Sequence, residues 1–143
     1  MMEFFRSMNI SATGIEASRL RMETASLNLA NAESSSADPN TVFRPKRVKL
    51  GEAFDEFQNQ FREIARSSGV EAEVLDQPDS EPIAIHDPTH PDANAEGMVL
   101  YPNVDMTTEM AEMMAARRAY EAGLAAYTQS KEIFLSTLEI VRG

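Results

Sequence analysis

MTTEMAEMMAARRAYEAGLAAYTQSKEIFLSTLEIV, residues 106–141, is written in heptads. Met106, Met113, Tyr120, Tyr127, Phe134 and Val141 recur every seven residues. Met110, Leu124 and Leu138 hold the position four further on, in a row that Arg117 and Lys131 interrupt. Seven residues are close to two turns of 3.6, so such rows form stripes along a helix. The pattern predicts a coiled-coil-like helix, about 50 Å long at 1.5 Å per residue. Asp105 or Thr107 can cap its start, and Glu109 is placed well for the helix dipole. Ile133, Leu135 and Ile140 add apolar surface outside the seam.

Working outward, Phe4 to about Ala32 also reads as one helix, without a proline. Met8, Ile15, Met22 and Leu29 make a seven-residue row with Phe5 and Ala12 beside it. Leu20 and Leu27 make a second row elsewhere on the circumference. A helix with two apolar stripes needs more than one neighbour. Asn31 is placed for a left-handed C-cap.

The middle differs in texture. A polar loop, residues 34–40, leads to an extended run from Val42 to Leu50. Phe54, Phe57, Phe61 and Ile64 predict a short amphipathic helix between Glu52 and Ser67. Val70 to Leu75 alternates as a strand does, and Ile83–Ile85 and Met98–Tyr101 are candidates to pair with it. The run from His86 to Gly97 is rich in turn formers.

Composition narrows the partners. Among 143 residues, 23 acidic and 13 basic side chains leave a net charge of −10, which argues against nucleic acid and against anionic lipid. No cysteine is present, so disulfides and thiolate metal sites are excluded. Nine methionines suit adaptable helix contacts better than a rigid pocket. No stretch has the length of a membrane span, and the start Met1-Met2-Glu3-Phe4-Phe5-Arg6 does not read as a cleaved signal peptide. Any export is therefore expected without one.

Two motifs, Ala25-Ser26-Leu27-Asn28-Leu29-Ala30-Asn31-Ala32 near the start and Arg118-Ala119-Tyr120-Glu121-Ala122 near the end, resemble those of the flagellar rod and hook axial proteins. Ala25-Ser26-Leu27-Asn28-Leu29-Ala30-Asn31-Ala32 is similar to the family's N-terminal S-x-N-[IL]-A-N-A signature. Glu109-Met110, Met113 and Arg118-Ala119-Tyr120-Glu121-Ala122 are similar to its C-terminal E-M-x-x-M…R-[AS]-Y-E-A-N. Residues 87–97, followed by Tyr101-Pro102-Asn103-Val104, resemble the interior of the short, proximal rod members. Gly123 departs from the family's usual Asn, and Phe43 from its usual Tyr. The resemblance implies terminal helices packed as the rod's axial layer, with a middle segment reaching the outer layer and adjacent subunits. It implies export through the flagellar type III apparatus, ordering on assembly in the periplasm, and torque transmission to the hook.

Each sharper motif has a plainer reading. His86 and His90, with Asp87, Asp92 and Glu96, are candidate metal ligands. Pro88 and Pro91 keep the histidines off one helix face, which favours a structural turn. Tyr120, Tyr127 and Phe134 fit an interface seam better than an aromatic ligand box. Arg117 is expected to pair with Glu121 on the surface, while the resemblance places Arg118 at an interface. Asn28 can serve as a cap or as a register mark. Gly14 and Gly123 either permit close helix approach or are simply tolerated.

The sequence thus predicts a mainly α protein. Long N- and C-terminal helices pack as an antiparallel coiled-coil-like pair, around a small mixed α/β or β-rich insert. Residues 1–33 and 104–143 form the axial domain and residues 34–103 the insert. The expected function is structural, a rod subunit without catalysis or cofactor that assembles with copies of itself and other rod proteins. It inserts in no membrane, and its isolated ends are expected to be partly disordered. The subunit or helix interface is expected to use Met8, Ile15, Met22, Leu27, Asn28, Leu29 and Asn31 at one end. At the other it uses Met106, Met110, Met113, Arg118, Tyr120, Glu121, Leu124, Tyr127, Phe134 and Leu138. The competing readings are another short rod protein, or a metal-binding module centred on residues 86–96.

Overall fold

The computed structural model describes residues 2–53, 69–77 and 80–142. Helix α1 spans Met2–Asn31 and helix α2 spans Met106–Arg142. Between them lie β1 (Lys46–Ala53), β2 (Gly69–Asp76), β3 (Ile83–His86) and β4 (Met98–Tyr101). Two long helices flanking a small strand-bearing middle are what the heptads and the alternating segments predict. Two compact units can be distinguished, Met1–Leu20 with Lys49–Glu73 and Ala115–Gly143, and Arg21–Val48 with Val74–Met114. Each takes part of both helices.

The hydroxyl-rich sequence of α1 is compatible with a helix because its hydroxyls bond back into the preceding turn. Ser11 Oγ donates to Ser7 O at 3.0 Å, Thr13 Oγ1 to Ile10 O at 2.9 Å, and Ser18 Oγ to Gly14 O at 2.8 Å. The helix ends differently from expectation. No described non-glycine residue has a positive φ, so Asn31 is not a left-handed cap. Its Nδ2 donates to Leu27 O at 2.8 Å, and the Ser34 hydroxyl and N–H both donate to Asn31 O. Side chains and a tight turn thus satisfy carbonyls that the helix end would leave open.

In the second unit, Asn28 fixes the start of β1. It is 1 % exposed, its Nδ2 donates to Lys46 O at 2.8 Å, and Lys46 N–H donates to its Oδ1 at 2.9 Å. The side-chain amide therefore pairs with a main-chain amide as a neighbouring strand would. Lys46 Nζ also reaches Asp76 Oδ1 at 2.9 Å, and Gln77 N–H donates to Pro45 O. In the first unit, Thr13 Oγ1 accepts the Val70 N–H at 3.1 Å, bringing the start of β2 to α1. Gly69 has φ +139°, and a Cβ there would overlap the Thr13 hydroxyl, so glycine is required twice over.

The strands pair as two separate ribbons, β1 with β2 and β3 with β4. This corrects the expectation that β3 and β4 pair with β2. The reason is local. Asp87 N–H donates to Gly97 O at 2.9 Å, and Asn94 Oδ1 accepts both Glu96 N–H and Met98 N–H at 2.9 Å. Gly97, at φ +74°, completes the reversal. The hairpin that results sets Ile83 opposite Tyr101 and His86 opposite Met98. Ser36 exchanges two 3.0 Å main-chain bonds with Leu100, and Val99 beside it is fully buried. β1 also includes Glu52 and Ala53, where a helix was expected to begin; Phe54, Phe57, Phe61 and Ile64 lie outside the described residues.

Asp105 is the N-cap of α2. Its Oδ1 accepts Thr107 N–H at 3.0 Å, and its Oδ2 accepts the Thr108 hydroxyl at 2.7 Å. The Thr108 hydroxyl first, then the Thr108 and Thr107 N–H groups, hold its carboxyl below the usual aspartate range.

Two outcomes follow for stability. Asn28→Ala strips two partners from Lys46 in a half-buried setting and should cost roughly 2–3 kcal/mol, measured by chemical denaturation. Because the Asp105 pKa is lowered on folding, its contribution is complete above the ordinary aspartate value and is lost as pH falls through the lowered one. The gap in thermal midpoint between the parent and Asp105→Ala should therefore narrow below about pH 4.

Candidate assembly surface of the terminal helices

What the helices bury is small. On α1 the buried residues are Ala17, Ser18, Thr24, Ala25 and Asn28, and on α2 they are Glu109 and Ala116. Short side chains let helix surfaces come close, and the contacts reflect this. In the first unit a Cβ on Gly123 would lie 2.9 Å from Ile15 Cγ1, tighter than real contacts allow. Phe5 and Phe134 meet edge to face with centroids 5.7 Å apart. In the second unit Arg21 Nε donates to Glu112 Oε1 at 2.7 Å.

The large apolar residues are mostly elsewhere. Phe5, Ile10 and Leu27 on α1 are exposed, as are Met106, Met110, Met114, Leu124, Ile133, Leu135, Leu138 and Ile140 on α2. Met110, Met114, Leu124, Leu135 and Leu138 share one outward stripe, alternating by fours and threes with Arg117, Glu121, Thr128 and Lys131. Arg117 Nε and Glu121 Oε1 are 2.9 Å apart on this stripe, both well exposed, as expected for a surface pair. Such a pair contributes only about 0.3–0.5 kcal/mol.

The interface candidates divide by row. Met8, Ile15, Met22 and Leu29 are half-buried, and so are Met113, Tyr120, Tyr127 and Phe134. Asn28 is buried and Asn31 half-buried. Leu27, Met106, Met110, Arg118, Glu121, Leu124 and Leu138 are exposed. Beside the Tyr120 row, Glu109 and Ala116 are buried and Gly123 and Ser130 half-buried, a row that apolar periodicity passes over. Its signal is a short or polar residue at every seventh position. Gly123 has the close approach suggested for it, whereas a Cβ on Gly14 would meet nothing within 4 Å.

The turn at residues 86–97 is held by its own polar groups. Asp87 Oδ1 accepts the Thr89 hydroxyl at 2.7 Å and the Thr89 N–H at 3.0 Å, which keeps its carboxyl below the usual range. His90 Nδ1 accepts the Asp92 N–H at 3.1 Å, its ring meets Tyr101 edge to face, and Ser35 Oγ donates to Asp92 Oδ2 at 2.6 Å. Asp92 Oδ2 lies 4.0 Å from the same Nδ1. Among the described residues no three His, Cys, Asp or Glu side chains converge to hold a metal, so the metal-binding reading finds no support. No described helix is long and apolar enough to cross a membrane.

The helix that carries this surface places the chain in the flagellar rod class. The family model for the C-terminal part of the flagellar basal body rod FlgEFG proteins matches residues 95–140. Among curated relatives, the flagellar basal-body rod protein FlgC of Bacillus subtilis is 36% identical, over 97% of this chain and 99% of that protein. The FlgC of Aquifex aeolicus is 37% identical over 97% and 98%, and that of Borreliella burgdorferi 31% over 99% and 100%. The chain belongs to the FlgC family of flagellar basal-body rod proteins.

The two helical glycines should respond oppositely to alanine. Gly14→Ala, in open space, should stabilise by up to about 1 kcal/mol through helix propensity. Gly123→Ala should gain nothing or lower the thermal midpoint, because Ile15 must move.

Proposed function

We propose that the chain is a structural subunit of the flagellar rod that assembles through its terminal helices and catalyses nothing. Residues 1–33 and 104–143 form its axial layer, and residues 34–103 face the outer layer and adjacent subunits. The helices pack as an antiparallel coiled-coil-like pair. In support, Phe5 meets Phe134 while Ile15, ten residues on, meets Gly123, eleven residues back. Its partners are copies of itself and other rod proteins. It reaches the periplasm through the flagellar type III apparatus, and the finished rod carries torque to the hook.

One observation carries this reading: the helices bury short side chains and leave the long apolar ones outside. Fully burying such a side chain is worth about 1.5–3 kcal/mol, so the exposed stripes are a standing drive toward association. The half-buried Tyr120 row serves the pairing of the two helices, and the exposed Met110, Leu124 and Leu138 serve neighbouring subunits.

The test is deletion of the gene in its source organism, with electron tomography of the cell envelope. Membrane rings without a completed rod, and loss of swimming, are expected. Re-expression of the parent chain should restore both. A Leu124→Asp, Leu138→Asp chain should keep its helical circular dichroism yet lower motility at least tenfold. Normal rods in the deletion strain, or full rescue by the double variant, would refute the proposal.

A further inference from the structure

The chain has nine methionines and neither cysteine nor tryptophan. Thioethers are therefore its only sulfur groups, and the first groups a two-electron oxidant will find. Among the described residues the methionines divide by position. Met8, Met22, Met98 and Met113 are half-buried, whereas Met106, Met110 and Met114 are 45 %, 52 % and 53 % exposed. The exposed three follow one another at four-residue spacing at the start of α2, all in the second unit. Four residues turn a helix by about 400°, so the three lie within an arc of about 80° on one face.

An apolar face alone does not call for methionine. Leucine is equally apolar, forms helix about as well and carries no oxidisable atom. The far end of the same helix does expose leucine, at Leu124, Leu135 and Leu138. What methionine adds is a flexible shape and a sulfur whose polarity can be changed and changed back.

We propose that Met106, Met110 and Met114 form an oxidation-sensitive patch. Their conversion to sulfoxides on the unassembled chain blocks its incorporation into the rod, and reduction restores it. This deepens the reading of the chain as a rod subunit and rests on it. With hypochlorous acid as oxidant, an S–O bond forms and the O–Cl bond breaks. Sulfur gives up two electrons, and chloride and a proton leave. A methionine sulfoxide reductase with a dithiol donor reverses the step, the oxygen leaving as water while the thiols become a disulfide. Each sulfoxide sets a strong acceptor on a surface that must shed its water, and burying it without a donor is costly. Once a neighbour covers the patch the oxidant no longer reaches the sulfurs, so the sensitivity belongs to the chain before assembly.

The experiment has a chemical arm and a cellular one. The isolated full chain is treated with hypochlorous acid, and oxidation is followed at each methionine by peptide mass spectrometry. Met106, Met110 and Met114 should react at least fivefold faster than Met22, Met98 and Met113, and the reductase should return them to thioethers. Equal rates would overturn the proposal. In the gene-deletion strain, one chain carries Met106→Gln, Met110→Gln and Met114→Gln, since glutamine is a polar, uncharged stand-in for the sulfoxide. A second carries leucine at the same three positions. Both should keep helical circular dichroism, and the glutamine chain should support swimming at least tenfold less than the leucine chain. Equal swimming, whether both are high or both low, would overturn the proposal, because function would not follow the polarity of the patch. The same strain separates the two readings. If rods form without the chain, the rod reading fails; if rods require the chain but the two variants swim alike, only the oxidation-sensitive patch fails.

Discussion

The pairing of the Asn28 side chain with the Lys46 peptide unit is the interaction on which the middle of this protein depends. A buried asparagine inside a helix is costly unless its amide is satisfied. Here both of its polar groups are used, on the N–H and C=O of one strand residue. That fixes where β1 begins and places Pro45, the residue before it, in the interior. Gln77 then bonds to Pro45 and Asp76 to Lys46, so the end of β2 is registered on the same point. Thr13 holds the other end of β2 through Val70. Two polar residues of α1, fifteen positions apart, thus each anchor one end of the first ribbon's strands.

This explains what was legible in the sequence and what was not. Apolar periodicity announced both helices, because the rows through Ile15 and Tyr120 face inward. It could not announce the packed positions Glu109, Ala116 and Gly123, which carry almost no hydrophobicity. The interruptions by Arg117 and Lys131 were the clue that the Leu124 row faces outward. Asn28 stood out by type, but its role depends on Lys46, eighteen residues away through an irregular loop. Strand existence was legible from alternation, whereas strand pairing was decided by the turn chemistry of Asp87, Asn94 and Gly97. In place of a left-handed cap at Asn31, the Ser34 hydroxyl and N–H bond the Asn31 carbonyl and the Asn31 side chain bonds that of Leu27, with no positive φ.

The charge balance sets the terms on which such a protein can associate. Copies that each carry −10 repel one another at distances up to the Debye length, roughly 8 Å at physiological salt. Close packing therefore needs a short-range attraction that salt does not weaken. In the proposed assembly the methionines and leucines exposed on α2 would provide it, since methionine adapts its shape to a neighbour that is not an identical copy. Burying short residues within the chain and leaving long ones outside weakens the isolated fold, since its described buried apolar residues are only Ala17, Ala25, Val42, Val99 and Ala116. In the assembly proposed above, stability is deferred from the single chain to the polymer, where the same side chains would become interior.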